Sequence, residues 1–104
     1  MGPEDADGFE WDDDLDPTGN TAHLARHQIL YWEAEQVWYN QGILVPNKKR
    51  STADWKLVGK TDSGRALTLI MTYLDYRRLI RFITGWDCTA GERTRYLEAK
   101  GRRR

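Results

Sequence analysis

The sequence predicts a single α+β domain built on an antiparallel sheet of about four to five strands. Two observations lead to this prediction. Apolar residues recur first at helical spacing and then, from Ile43 onward, at the two-residue spacing of strands. The predicted strands also follow one another in a run, which favours antiparallel neighbours over parallel βαβ units. A chain of 104 residues has room for one core, and the expected order of elements is β-α-α-β-β-β-β-α.

The amino-terminal residues divide into a leader and a first strand. Residues 1–8 hold acids, Gly and Pro but no large side chain to bury, so we expect this leader to be disordered. Phe9-Glu10-Trp11 alternates apolar and polar residues, which predicts a short edge strand. The folded domain is therefore expected to span residues 9–101, followed by a solvated basic tail at 102–104.

Two helices are predicted before the run of strands, packed on the more apolar side of the sheet. An Asp-Pro turn leads into the first helix, which we expect to be capped by Thr18 or Asn20 and to end near His27. The second helix is expected to end at Gln41-Gly42. Its apolar face is formed by Tyr31, Ala34, Val37 and Trp38.

Four strands and a last helix are predicted in the remainder. The strands are expected over Ile43–Val45, Trp55–Lys60, Arg65–Tyr73 and Arg77–Gly85. The third of these has apolar residues on both sides, as a central strand does. Asp-Ser-Gly at 62–64 predicts the hairpin turn before it, because glycine accepts a positive φ. Thr-Ala-Gly-Glu from Thr89 matches a capping box, so the last helix is expected from there to Gly101.

Charge is distributed unevenly along the chain. Residues 1–25 contain eight acids and no Lys or Arg, so residues 26–104 combine the other eight acids with all sixteen bases, for a net charge of +8. A basic body with an acidic leader suggests an anionic partner, most often nucleic acid, with the leader either solvated or covering the basic surface. A tail that only improves solubility is the alternative.

Several classes of protein are not expected. Cys88 is the single cysteine, so the chain can form no internal disulfide and has too few thiols for a zinc site. This use of cysteine indicates a reducing cytoplasm. The most apolar stretch, Ala66 to Leu74, is about half the length of a membrane span. The sequence has no Gly-rich phosphate loop, no paired metal-ligand spacing and no Ser-His-Asp set, so neither a metal nor another cofactor is expected.

Six short motifs follow one another along the chain. They are Phe9-Glu10-Trp11-Asp12, Arg26-His27-Gln28-Ile29, Glu33-Ala34 with Val37-Trp38, Gly59 before Gly64-Arg65 and Leu67, Arg81-Phe82-Ile83-Thr84, and Glu92-Arg93 with Tyr96. In this order and at this spacing they resemble the BrnT family, the ribonuclease toxins of a bacterial type II toxin–antitoxin system, whose fold is distantly similar to RelE. The resemblance runs from Phe9 to about Glu98.

The resemblance implies metal-independent cleavage of RNA, in which the 2′-hydroxyl attacks the neighbouring phosphate and leaves a cyclic phosphate. It also implies a cognate BrnA-like antitoxin that neutralises the toxin and through which DNA is bound indirectly. A regulator that binds DNA alone is disfavoured, because no helix combines a basic face with helix-turn-helix spacing.

This reaction needs a base, cations and an acid. Arg65 and Arg81 are the candidates for the cationic role, because a guanidinium matches phosphate geometry and stays charged. His27 is the leading acid/base candidate, since its unperturbed pKa lies near neutrality. The RNA-binding candidates are Lys56, Lys60, Arg77 and Trp86, and the additional candidates near the active surface are Glu92, Arg93 and Tyr96.

Each candidate also has a structural interpretation. The arginines can be ordinary surface residues, and His27 can cap the carboxyl end of the first helix. The capping box accounts for Glu92, and Tyr96 can pack the last helix on the sheet.

Two departures from the family pattern bear on function. Gln28 follows His27 where the family usually has Gly. Trp86 stands where the family commonly has an arginine, and it could instead stack an RNA base. Loss of that arginine favours an alternative function, a non-catalytic RNA-binding or protein-interaction module with the same fold.

Overall fold

The sheet has five strands and is mixed. They are β1 (Gly8–Phe9), β2 (Ile43–Pro46), β3 (Trp55–Lys60), β4 (Ala66–Leu74) and β5 (Leu79–Asp87). In the computed structural model, which describes residues 2–47 and 55–98, they lie side by side in the order β1-β5-β4-β3-β2. The α+β class and the antiparallel pairing of β2 through β5 agree with the sequence prediction.

The prediction of a wholly antiparallel sheet is wrong at β1, which pairs parallel to β5 with Phe9 opposite Ile80. The Phe9 ring stacks on Phe82 at 5.8 Å between centroids, and Trp11 stacks on the same ring at 5.6 Å. Two-residue periodicity predicts which side chains share a face of a strand. It does not predict whether the strand runs parallel or antiparallel to its neighbour. In its parallel direction, the amino-terminal segment places both rings against the buried side chain of Phe82.

Residues 2–8 are ordered in the structure, contrary to the expectation of a disordered leader. Pro3–Asp5 forms one 3-10 turn, in which Pro3 is buried, and Ala6 packs against the core. The backbone N–H of Asp7 donates to the carbonyl of Arg78 at 2.7 Å. Composition predicts disorder for a segment that has nothing to bury, but this one covers the end of a core that other elements supply.

Two helices pack on one face of the sheet. They are α1 (Asn20–Arg26) and α2 (Tyr31–Tyr39), close to the predicted positions. The residue preceding α1 is Gly19, not Thr18 or Asn20, and the Asp12 carboxylate accepts the backbone N–H of Asn20 at 2.9 Å. The core between helices and sheet is formed by Leu24, Ile29, Ala34, Val37, Leu57, Leu67, Leu69, Met71, Ile80 and Phe82.

The hairpins differ from the prediction at β5. Gly64 has φ +90°, as the predicted turn between β3 and β4 requires. Strand β5 begins at Leu79, because Arg77 and Arg78 lie in the turn after β4, where Arg78 takes φ 56°. A bulge between Ile70 and Met71 shifts the register of β4 against β5.

The last helix begins as predicted. Thr89 caps α3 (Ala90–Glu92), its hydroxyl accepting the N–H of Glu92 at 3.1 Å, and the chain continues in wider turns over Arg93–Glu98. The predicted end at Gly101 and the basic tail lie outside the described residues. Among the residues that the structure describes, no helix is both long and apolar enough to cross a bilayer.

Candidate functional site

The candidate residues occupy three separate parts of the surface. We call His23, Arg26, His27 and Arg65 the α1-end cluster. The hairpin arginines are Arg77, Arg78 and Arg81. A third group, Lys56, Trp86, Glu92 and Tyr96, lies where the last helix meets the sheet. Lys60 and Arg93 are exposed at the end of β3 and the start of the last turns.

Arg65 connects three elements of the fold. Its Nε and Nη2 donate to the two carboxylate oxygens of Asp87 on β5, at 2.7 and 3.0 Å. Its Nη1 donates to the carbonyl of Gln28 at 2.7 Å and to the Glu33 carboxylate of α2 at 3.1 Å. The hydrogen bond to Asp87 raises the pKa of Arg65 above its ordinary value. Because every guanidinium nitrogen has an acceptor, Arg65 holds the α1–α2 connection against the sheet.

Replacing Arg65 by methionine is expected to lower the free energy of unfolding by about 2–3 kcal/mol. The reason is that the Glu33 side chain, which is only 13% exposed, loses its cation. Denaturant unfolding measures the change, and Arg78→Met, which breaks the exposed pair with Asp7, is the matched control with a loss below about 1 kcal/mol. Equal losses in the two variants would show that Arg65 is no more than a surface ion pair.

The structure places Arg65 far from Arg81. Asp87, which binds Arg65, lies six residues after Arg81 on β5, a separation of roughly 20 Å along a strand. A single phosphate group cannot contact both arginines. Their predicted cationic roles therefore belong to two different parts of the surface.

His27 lies at the carboxyl end of α1 and is exposed. Its ring centroid is 5.1 Å from that of His23. Only its backbone N–H takes part in capping, and no described residue hydrogen-bonds its ring. The next residue, Gln28, takes a left-handed φ of 63°, a conformation that glycine adopts most readily, and Arg65 holds its carbonyl. His27 thus presents an imidazole that is open to a ligand on a turn with a fixed backbone.

Sequence reasoning did not assign a role to the two neighbours of His27. Arg26 Nη2 lies 3.4 Å from His23 Nδ1, and His23 Nε2 lies 3.0 Å from the Thr84 hydroxyl. With Arg26 as donor, the His23 proton is assigned to Nε2, which donates to Thr84. Burial, followed by the charges of His27 and Arg26, lowers the pKa of His23 and keeps it neutral at neutral pH. The signal in the sequence was the i, i+3, i+4 spacing on one helix.

The hairpin arginines are paired with acids from the amino-terminal segment. Glu10 binds both Arg77 and Arg81 through its two carboxylate oxygens. Asp12 accepts two hydrogen bonds from Arg81, at 3.1 and 2.6 Å. The hydrogen bond from Arg81 is the largest influence on the pKa of Asp12 and lowers it.

The group at the last helix is also internally bonded. Trp86 Nε1 donates to the Glu92 carboxylate at 3.1 Å, and the Thr68 hydroxyl donates to the same carboxylate at 3.0 Å. Burial opposes ionisation of Glu92, but hydrogen bonds from Thr89, Thr68 and Trp86 outweigh it and lower its pKa. Glu92 is therefore ionised at neutral pH and unsuited to donate a proton, and Trp86 anchors the last helix.

Lys56 and Tyr96 lie together on the same side of the sheet. The Lys56 Nζ is 5.8 Å from the centre of the Tyr96 ring, and the Arg95 guanidinium is 5.5 Å from it. The ring thus has two cations near it. Packing of the last helix onto β3 accounts for the position of Tyr96.

An exposed apolar patch borders the α1-end cluster. Leu30 caps the start of α2 two residues after Gln28, Tyr31 and Trp32 are the first residues of the helix, and each of the three is nearly half exposed. Tyr31 also packs edge-on against Trp11 at 5.7 Å between ring centroids, so its exposed part lies beside the amino-terminal segment.

Among residues 2–47 and 55–98, no group of three or more His, Cys, Asp or Glu side chains is placed to hold a metal ion. No protein-family model, curated protein or solved structure was found to match the chain.

Proposed function

We propose that this protein is a BrnT-like toxin with a RelE-like fold, a metal-independent endoribonuclease of a bacterial, cytoplasmic type II toxin–antitoxin system. The observation that carries the proposal is the α1-end cluster. It combines the solvent-open imidazole of His27 with the Arg26 cation at the end of α1, next to a turn that Arg65 holds in place. An acid/base group beside a guanidinium is what cleavage through a 2′-hydroxyl requires.

In the proposed reaction His27 takes the proton of the 2′-hydroxyl. The 2′-oxygen forms a bond to phosphorus, the bond from phosphorus to the 5′-oxygen breaks, and that oxygen takes a proton from water. The imidazolium of His27 then gives its proton to the hydroxide that remains, which restores both. Arg26 stabilises the negative charge that develops on the phosphoryl oxygens. Neutral His23 positions Arg26, and Arg65 positions the backbone on which His27 lies.

A cognate BrnA-like antitoxin is the proposed protein partner. The patch of Leu30, Tyr31 and Trp32 lies directly after the turn that carries His27, so a protein bound there would cover the α1-end cluster. Binding to this patch is how the proposed antitoxin would block RNA, and any contact of the toxin with DNA would pass through it.

RNA cleavage in EDTA tests the proposal. The purified protein is expected to cut RNA without added metal and to leave 2′,3′-cyclic phosphate and 5′-hydroxyl ends, which end mapping identifies. His27→Gln protein purified by the same procedure controls for contaminating ribonucleases. Intact RNA after incubation with folded protein would overturn the ribonuclease proposal.

One set of contacts favours a second candidate, a non-catalytic RNA-binding or protein-interaction module. The guanidinium groups of Arg65 and Arg81 are occupied by carboxylates, and Trp86, which stands at the family's arginine position, bonds Glu92. RNA that binds but is not cut would support this candidate.

A further inference from the structure

The amino-terminal segment and the β4–β5 turn meet through a set of ion pairs between residues about seventy positions apart. Asp7 accepts from Arg78 at 3.0 Å, and Glu10 and Asp12 accept from Arg81 at 3.2 and 2.6 Å. Glu10 also binds Arg77. In this part of the structure, each hairpin arginine therefore faces a carboxylate of one continuous segment, residues 7–12.

The bonds that Glu10 makes resemble those of a phosphate. Its two oxygens bridge the guanidinium groups of Arg77 and Arg81, so both cations already converge on one anion. A phosphate presents oxygens in the same way and suits the planar fork of arginine. Asp12 adds two hydrogen bonds to Arg81, so this guanidinium binds carboxylates of two residues of the segment.

The segment is anchored independently of these charges. Phe9 and Trp11, which alternate with Glu10 and Asp12, stack on the buried ring of Phe82. The indole N–H of Trp11 donates to Glu35 at 2.8 Å. Neutralising Asp7 and Glu10 should therefore release Arg77 and Arg78 without releasing the segment, while Asp12 keeps its bonds to Arg81 and to the N–H of Asn20.

An exposed aromatic residue completes the surface. Tyr76, at the tip of the turn beside Arg77, is 82% exposed and makes no ring contact with a described residue. Exposed aromatic side chains next to arginines stack single-stranded bases.

We propose that the hairpin arginines and Tyr76 form a binding surface for single-stranded RNA, and that the carboxylates of Asp7, Glu10 and Asp12 occupy it as an intramolecular mimic of the phosphate backbone. The inference rests on the proposed RNA substrate and adds a second contact region to the α1-end cluster. Thr84, which contacts His23 of the α1-end cluster, lies three residues after Arg81 on β5, roughly 10 Å along the strand, so one RNA strand can reach both regions. The acidic segment lowers affinity for RNA until phosphates replace it.

The test measures binding of a ten-nucleotide 2′-O-methyl oligouridine, which lacks the attacking hydroxyl and cannot be cut by the proposed reaction. Asp7→Asn with Glu10→Gln should tighten binding about tenfold at low salt and make the dependence of log affinity on log salt steeper by about 1–2, as two or more additional phosphate contacts require. Glu4→Gln with Asp14→Asn is the matched control, because it removes two exposed acids of the same region that pair with no described arginine.

Further variants identify the cause of any gain. Arg77→Gln with Arg78→Gln, added to the neutralised protein, should cancel the gain, while circular dichroism and thermal unfolding confirm that every variant folds. Equal gains in the neutralised and control pairs would overturn the proposal, since net charge alone would then explain them. An unchanged affinity in the neutralised pair would overturn it as well. Because the probe resists cleavage, its binding can be measured and interpreted even if the protein proves not to cut RNA.

Discussion

Replacing His27 by glutamine is expected to slow RNA cleavage about 100- to 10,000-fold, the range for loss of a positioned acid/base group. Glutamine keeps hydrogen-bonding capacity at a similar size but cannot accept and return a proton at neutral pH. Initial rates of cleavage of a labelled RNA in EDTA measure the effect. The exposed ring makes no described hydrogen bond, so the free energy of unfolding should change by less than about 0.5 kcal/mol.

His23→Gln is the comparison variant, because it removes the other imidazole of the same helix. His23 bonds Thr84 and Arg26 and its pKa is lowered, so it positions Arg26 without taking the proton, and its loss should reduce the rate at saturating RNA less than the loss of His27 does. If the two variants lost the same share of the maximal rate, the assignment of His27 as the proton acceptor would fail. Unchanged cleavage by His27→Gln would remove the α1-end cluster from the mechanism.

Replacing Phe82 by alanine is expected to lower the free energy of unfolding by about 3–5 kcal/mol, the largest change expected from a single residue of this core. The ring is fully buried and packs against both Phe9 and Trp11, so its removal leaves a cavity where the amino-terminal segment meets β5. Chemical denaturation followed by tryptophan fluorescence measures the loss.

Small domains have about 5–15 kcal/mol of stability in total, so the alanine variant could unfold completely. Phe82→Leu, with an expected loss of about 1–2 kcal/mol, keeps the prediction measurable in that case. Tyr76→Ala removes an aromatic ring of similar size that is 82% exposed, and it should change stability by less than about 0.5 kcal/mol. Comparable losses at positions 76 and 82 would contradict the described core.

Only part of the candidate site could be predicted from the sequence. Residue type identified His27 and the arginines, because few side chains titrate near neutrality or bind phosphate with a planar fork. Their partners could not be predicted, because Arg65 meets Asp87 and Glu33, and Arg81 meets Glu10 and Asp12, across long intervals of sequence. These contacts change the interpretation of the arginines, since each guanidinium already binds carboxylates.

Local sequence patterns were sufficient to predict most of the fold. Helical spacing located α2, two-residue spacing located β3, and glycine and threonine marked the turn at Gly64 and the cap at Thr89. Each of these features depends on residues within a few positions of one another, so their order and the antiparallel pairing of β2 to β5 follow from the sequence by itself.

Tertiary structure alone decided the position of the amino-terminal segment and the separation of the basic residues. The parallel direction of β1, the order of residues 2–8 and the pairing of Asp7, Glu10 and Asp12 with the hairpin arginines all depend on β5 and the turn before it, some seventy residues away. The core on which Phe9 packs, and the arginines that attract the acids, come together only once the sheet has formed. The charge asymmetry of the sequence offers coverage of a basic surface as one alternative, but which arginines the acids cover depends on the folded sheet.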